Sequence, residues 1–152
     1  MTLAIPASLQ QEHEDLHVEL RRATQAEGEV GEAAQALARL MHPHFVKENE
    51  LALPPLGLLA ELARGEPIGD MEQVLALTDR LECELPAMLQ EHQAIVGALQ
   101  QLRRVAEEAG RMDIVDFAQR LALHARTEEE VMYPAALLVG RFVRAQASVL
   151  AP

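Results

Sequence analysis

The sequence predicts an all-α protein, an antiparallel up-and-down four-helix bundle made of two like helical hairpins. Three observations lead there. Ala, Leu, Glu, Gln and Arg dominate a chain whose aromatic content is 3% and which lacks Trp, a vocabulary of helices rather than sheets. Apolar residues recur at helical spacing, as with Leu9, Leu16 and Leu20 around His13 and Met88, Ile95 and Leu99 around His92. The chain also repeats itself. LQQEH ending at His13 returns 79 positions later as MLQEH ending at His92, and HFVKENELALP from His44 returns 80 positions later as HARTEEEVMYP from His124. Two similar hairpins pack most simply about a pseudo-twofold axis.

Pro6 and Ser8 mark the start of the first helix, which runs to about Ala26, where Gly28 and Gly31 punctuate a turn. The second extends from about Glu32 to Leu53, is interrupted at Pro43, and closes at Pro54 and Pro55. From Leu56 to Gly69 lies a longer connection with a short helical stretch, LGLLAELARG. Asp70 can cap the third helix, which reaches about Ala109, is broken near Pro86 and ends at Gly110. Asp113 can cap the fourth, which passes through His124 and a kink at Pro134 towards Ser148. A chain of 152 residues is long enough for one continuous core, so a single domain is expected over residues 1–152.

Charge and cysteine usage exclude several functions. A formal net charge of −11 argues against nucleic acid, because phosphate binding requires a basic face. Cys83 is the one cysteine, which rules out an intrachain disulfide and a cysteine-rich zinc site and fits a reducing, cytoplasmic setting. The amino-terminal MTLAIPASLQQEHEDL has no basic n-region. No stretch approaches the roughly 20 apolar residues of a membrane span, so no membrane partner is expected. The densest apolar segment, Ala135 to Val143, carries Leu137, Leu138, Phe142 and Val143. It suits either a cover for the bundle end or a homodimer contact.

Each long repeat contains His-x-x-x-Glu, as His44 with Glu48 and His124 with Glu128. A helix turns about 100° per residue, so each pair lies on one face, one turn apart. That face is apolar, where an unpaired polar group costs free energy. A single such pair is more simply a core histidine or an ordinary helical side-chain contact. Two copies, each preceded by a partner histidine, point instead to metal. The candidate ligands are His13, His17, His44, Glu48, His92, His124 and Glu128. His17 has Val96 as its counterpart in the repeat, so a surface or capping role stays open for it. His42 lies on another face. Glu12 and Glu91 recur one step off the ligand face, suited to holding the second imidazole nitrogens or to solvent. Tyr133 precedes Pro134 as Leu53 precedes Pro54, a pattern that reads as packing.

These motifs resemble the hemerythrin-like, or HHE cation-binding, family over nearly the full length, and the paired His-x-x-x-Glu segments followed by Pro are the specific part. The resemblance implies two iron ions between the helices, bridged by two carboxylates and an oxo or hydroxo oxygen, with five histidines completing the shell. Glu48 and Glu128 would be the bridges. His13, His17 and His44 would saturate one iron, while His92 and His124 would leave a position on the other for oxygen, beside Val96 in a dry pocket. Two features depart from the family's oxygen carriers. Their His-x-x-x-His pair lies on the third helix, whereas His13 and His17 place it on the first. Their last carboxylate falls five residues after its histidine, which would select Glu129. A step of four matches the first copy and keeps one face, whereas five rotates about 140°, so Glu128 is preferred.

The function so implied is binding of oxygen or a related diatomic or peroxide ligand at a non-haem di-iron centre, for storage, delivery or sensing. Sensing would require a separate signalling partner. A di-iron peroxidase or oxidase is the enzyme alternative, less favoured because ferritin-like carboxylate enzymes use Glu-x-x-His pairs and more carboxylates. A zinc-bound or metal-free structural bundle is the third reading, since imidazole and carboxylate accept several divalent ions.

Overall fold

The computed structural model describes residues 3–150, and these are helical with no strand among them. The α-helices are α1 (Ala7–Thr24), α2 (Gly28–Lys47), α3 (Leu59–Ala63), α4 (Met71–Glu108), α5 (Met112–Thr127) and α6 (Tyr133–Leu150). Single π-helical turns, Glu48–Ala52 and Glu128–Met132, follow α2 and α5. A 3₁₀ stretch, Pro54–Leu58, leads into α3. Helix α1 packs on α2, α2 on α4, α4 on α5 and α5 back on α1, while α6 runs along α4. The result is a helical bundle.

Two apolar clusters make most of the core. One joins α1, α2, α4 and α5 through Leu16, Leu37, Met41, Phe45, Ile95, Leu102 and Leu121. The other gathers Leu51, Leu53, Leu81, Met88, Met132, Tyr133 and Ala136. Full burial of such a side chain contributes about 1.5–3 kcal/mol. The polar ligand candidates fall between the clusters: Glu48 lies between Phe45 and Leu51, and His92 between Met88 and Ile95. Apolar packing on either side thus holds a polar layer inside the bundle.

Several local expectations are corrected. Helix α2 begins at Gly28, whose φ of +69° makes the turn, and Gly31 lies inside the helix. A Cβ at Gly31 would stand 1.9 Å from the Ala26 carbonyl oxygen, so this glycine permits a close approach and does not break the helix. Pro43 and Pro86 sit within α2 and α4 without ending them. Each proline removes one backbone donor, and packing along these long helices outweighs that loss. The irregularity falls later, at the π turns, where Leu53 N–H donates to the Glu48 carbonyl at 2.9 Å. Asp70 caps α4 as expected, accepting from the Gln73 N–H at 3.0 Å. Asp113 does not cap α5. It lies inside that helix and pairs with Arg111 at 3.0 Å.

Val143 is fully buried with Ile68, Val74 and Val139, whereas Leu138 and Phe142 are exposed. The apolar stretch on α6 therefore both covers the bundle end and leaves a surface strip. Among the described residues, no helix is long and apolar enough to cross a membrane.

Candidate metal centre

Each π turn begins at a glutamate of the repeat and is followed within a few residues by proline. A proline cannot donate into the helical ladder, and its ring collides with the carbonyl four residues back. A widened turn with i→i+5 bonds relieves that conflict, and such turns recur at functional sites. Here they place Glu48 and Glu128 at the centre of the bundle. Glu48 is 0% exposed and Glu128 2%.

Four imidazoles converge on these carboxylates. His44 Nε2 lies 2.7 Å from Glu48 Oε1, and His92 Nε2 lies 3.5 Å from Glu128 Oε1. His13 Nε2 lies 3.7 Å from Glu48 Oε2 and 3.6 Å from Glu128 Oε2, with His124 Nε2 3.4 Å from the latter. The side chains form two groups that could each hold a metal ion, His13 with His124 and His44 with His92, and both groups share Glu48 and Glu128. All six residues are buried. Oε2 of Glu48 and Oε2 of Glu128 lack a hydrogen-bond partner, and Oε1 of Glu48 meets only the His44 ring, a costly arrangement unless something positive stands among them.

The outward nitrogens are held by a second layer of carboxylates. His44 Nδ1 meets Glu91 at 3.2 Å, His92 Nδ1 meets Glu129 at 2.9 Å, and His124 Nδ1 meets Glu12. Such partners fix the tautomer and aim the Nε2 lone pair inward. Glu12 and Glu91 thus hold imidazole nitrogens, one of the two roles open to them in the sequence. Lys47 Nζ lies 2.5 Å from Glu91. Together with His44 it holds the Glu91 carboxyl below the usual range, against the upward pull of burial.

Burial is the largest influence on every imidazole here. It holds His13, His92 and His124 below the ordinary histidine value, with nearby carboxylates opposing only in part. At His44 burial also pulls down, but hydrogen bonds and charge from Glu48 and Glu91 outweigh it and raise the value. His44 is thus the imidazole of the cluster that its surroundings favour in the protonated form. Tyr133 is pushed far up, first by burial and then by Glu48, Glu129 and Glu91, so its hydroxyl is a neutral donor. That hydroxyl stands 3.1 Å from His92 Nε2 and 3.4 Å from His44 Nε2.

The structure departs from the expected division of ligands. Histidines pair across hairpins, His13 of α1 with His124 of α5 and His44 of α2 with His92 of α4. His17 joins neither group. Its ring lies against Phe45, with centroids 5.6 Å apart, and Phe45 also stacks on His13 at 5.0 Å. Val96 is exposed and lines no dry pocket beside the cluster. Glu128 belongs to both groups, whereas Glu129 is largely outside and reaches in only to His92 Nδ1. Tyr133 was hidden from α-helical reasoning. An α-helix puts it about 140° from Glu128, and the π turn with i→i+5 bonds brings it back over that residue.

A helical bundle with two buried histidine groups that share Glu48 and Glu128 could hold metal ions. The comparison with protein families agrees: residues 83–150 match the hemerythrin HHE cation binding domain. The match takes in His92, His124, Glu128, Glu129 and Tyr133. No curated protein and no solved structure matches the chain.

Proposed function

We propose that the whole chain is one hemerythrin-like domain, an antiparallel bundle of two like hairpins that holds a pair of iron ions and binds oxygen or a related small molecule there. The observation that carries this reading is the sharing of Glu48 and Glu128 by two histidine groups, with carboxylate oxygens otherwise unpartnered in the core. Glu48 and Glu128 would bridge the ions, His13 and His124 would hold one, and His44 and His92 the other. Four imidazoles leave more open positions than five. Such an ion pair supplies coordination and two-electron redox chemistry to a small oxygen-containing ligand.

The chain's own residues prepare that site. Glu91, Glu129 and Glu12 orient the imidazoles, and the apolar clusters on either side keep water from the carboxylates. His44 Nε2 would have to be free of its proton to hold an ion, so loading would compete with protonation there. The Tyr133 hydroxyl can donate a hydrogen bond to a molecule held at the His44/His92 side. Histidine-rich ligation favours reversible binding. Tyr133 favours a second reading, a di-iron peroxidase or oxidase, since a buried neutral phenol at the site can donate a hydrogen bond to a bound peroxide. Steady-state assays with peroxide and a reductant separate the two: turnover establishes the enzyme, and its absence leaves the binding protein.

Purified protein loaded anaerobically with ferrous iron and desalted should carry about two irons per chain by elemental analysis. His44→Ala and His124→Ala should each lower that content while leaving helicity intact. Full loading in both variants would overturn the ligand assignment.

A further inference from the structure

Resting on the metal-pair reading, we infer that the two ion positions are inequivalent: the His13/His124 position is the open, exchangeable one, and the His44/His92 position is the anchored one. The sequence repeat builds the same framework around both, since Glu12 serves His124 as Glu91 serves His44. Seven positions of the long repeat differ, and three of them change the polar surroundings of the imidazoles. Glu129 is matched by Asn49, Tyr133 by Leu53, and Lys47 by Thr127.

Those three leave the His13/His124 side with fewer polar partners, although Phe45, matched by Ala125, packs on the His13 ring. At the His44/His92 position both Nδ1 atoms meet carboxylates, Lys47 steadies one of those carboxylates, and the Tyr133 hydroxyl closes over both Nε2 atoms. At the other position only His124 is anchored in this way. His13 Nδ1 is buried and meets no carboxylate, with only the neutral Asn49 side chain near it. Asn49, standing where Glu129 stands in the second copy, brings no charge to it. Leu53 offers no polar atom. His13 is also the most exposed of the six cluster residues, at 7%. It lines a cleft of about 700 Å³ together with Gln10, Glu14, Asn49, Gln73 and Arg80.

A carboxylate on the outer imidazole nitrogen makes the inner one a better ligand and fixes the ring. Its loss typically costs about 10–100-fold in metal affinity. The ion beside His13 is then the one that leaves first and the one that small molecules from solvent meet first. The open position falls opposite to the expectation from the family resemblance, which placed it with His92.

The test uses the full chain loaded with two ferrous ions and challenged anaerobically with excess chromogenic chelator. Release should be biphasic, with one ion leaving about 10–100-fold faster. Asn49 and Glu129 are both exposed, so substitution there spares the core. Asn49→Glu should slow the fast phase towards the slow one, and Glu129→Asn should hasten the slow phase. Two ions released in a single phase, or an Asn49→Glu variant whose fast phase is unchanged, would overturn the inequivalence while leaving the metal pair standing. A chain that takes up no iron would overturn both.

Discussion

Replacing Glu128 by Gln should make the metal-free protein more stable and the metal-loaded protein less stable. Glu128 is buried, and its nearest cationic candidates are the imidazoles of His13, His124 and His92 at 3.4–3.6 Å. Burial keeps those three rings neutral at pH 7, and Glu128 Oε2 has no hydrogen-bond partner. Glu48 differs, because His44 offsets it at 2.7 Å. An unsatisfied buried polar group costs about 1–3 kcal/mol. Gln keeps the shape, removes the charge and offers an N–H to a neutral imidazole. For a chain of this size each kcal/mol moves the melting temperature by about 2–4 °C, so metal-free Glu128→Gln should melt about 2–12 °C higher. With metal at 100 times its dissociation constant, one wild-type site gains about 2.7 kcal/mol, and a variant lacking a shared bridge should lose most of that gain at both sites. The assay is thermal unfolding by circular dichroism, in chelator and in excess ferrous iron. A metal-free variant that melts below wild type would refute the reasoning, since it would mean that Glu128 is already compensated.

His17→Ala should keep the iron content of wild type, whereas His13→Ala should lose iron, measured by elemental analysis after desalting; a loss at His17 would place it back among the ligands. The metal-free protein should lose stability as pH falls below about 6.5, because the unfolded forms of His13, His92 and His124 protonate before the buried ones. His44, with its raised value, contributes stability in the opposite direction, present in acid and lost as pH rises through its folded value. Melting temperatures that stay flat or rise as pH falls from about 8 to about 5 would contradict a net loss. Gly140→Ala should destabilise by about 1–3 kcal/mol in chemical denaturation, although Ala is the better helix former. A Cβ there would stand 2.2 Å from Thr78 Oγ1, across the contact of α6 with α4. A stabilised variant would show that the two helices separate freely.

The helices and the six clustered residues were legible in the sequence because an internal repeat reports on geometry twice. His44 with Glu48 and His124 with Glu128 share a face by helical arithmetic alone, and His13 and His92 announce themselves by their common LQQEH-like setting. Other features depend on what helical arithmetic omits. The pairing of His13 with His124 joins α1 to α5 across the bundle, a matter of three-dimensional packing that no local spacing carries. Tyr133 reaches the cluster only because the turn between Glu128 and Met132 is widened. The single clue in the letters was the proline after each apolar run, whereas Pro43 and Pro86, on exposed faces of α2 and α4, leave those helices unbroken. The difference between Asn49 and Glu129 was visible as a mismatch in the repeat, but its meaning required knowing that Glu129 reaches His92 Nδ1.

The most direct test of the shared-carboxylate site is X-ray absorption at the iron edge of protein loaded with ferrous iron. Two ions bridged by Glu48 and Glu128 should give an iron–iron vector of about 3.5–4 Å together with imidazole scattering. Imidazole scattering from one iron per chain, with no iron–iron vector, would contradict the paired centre.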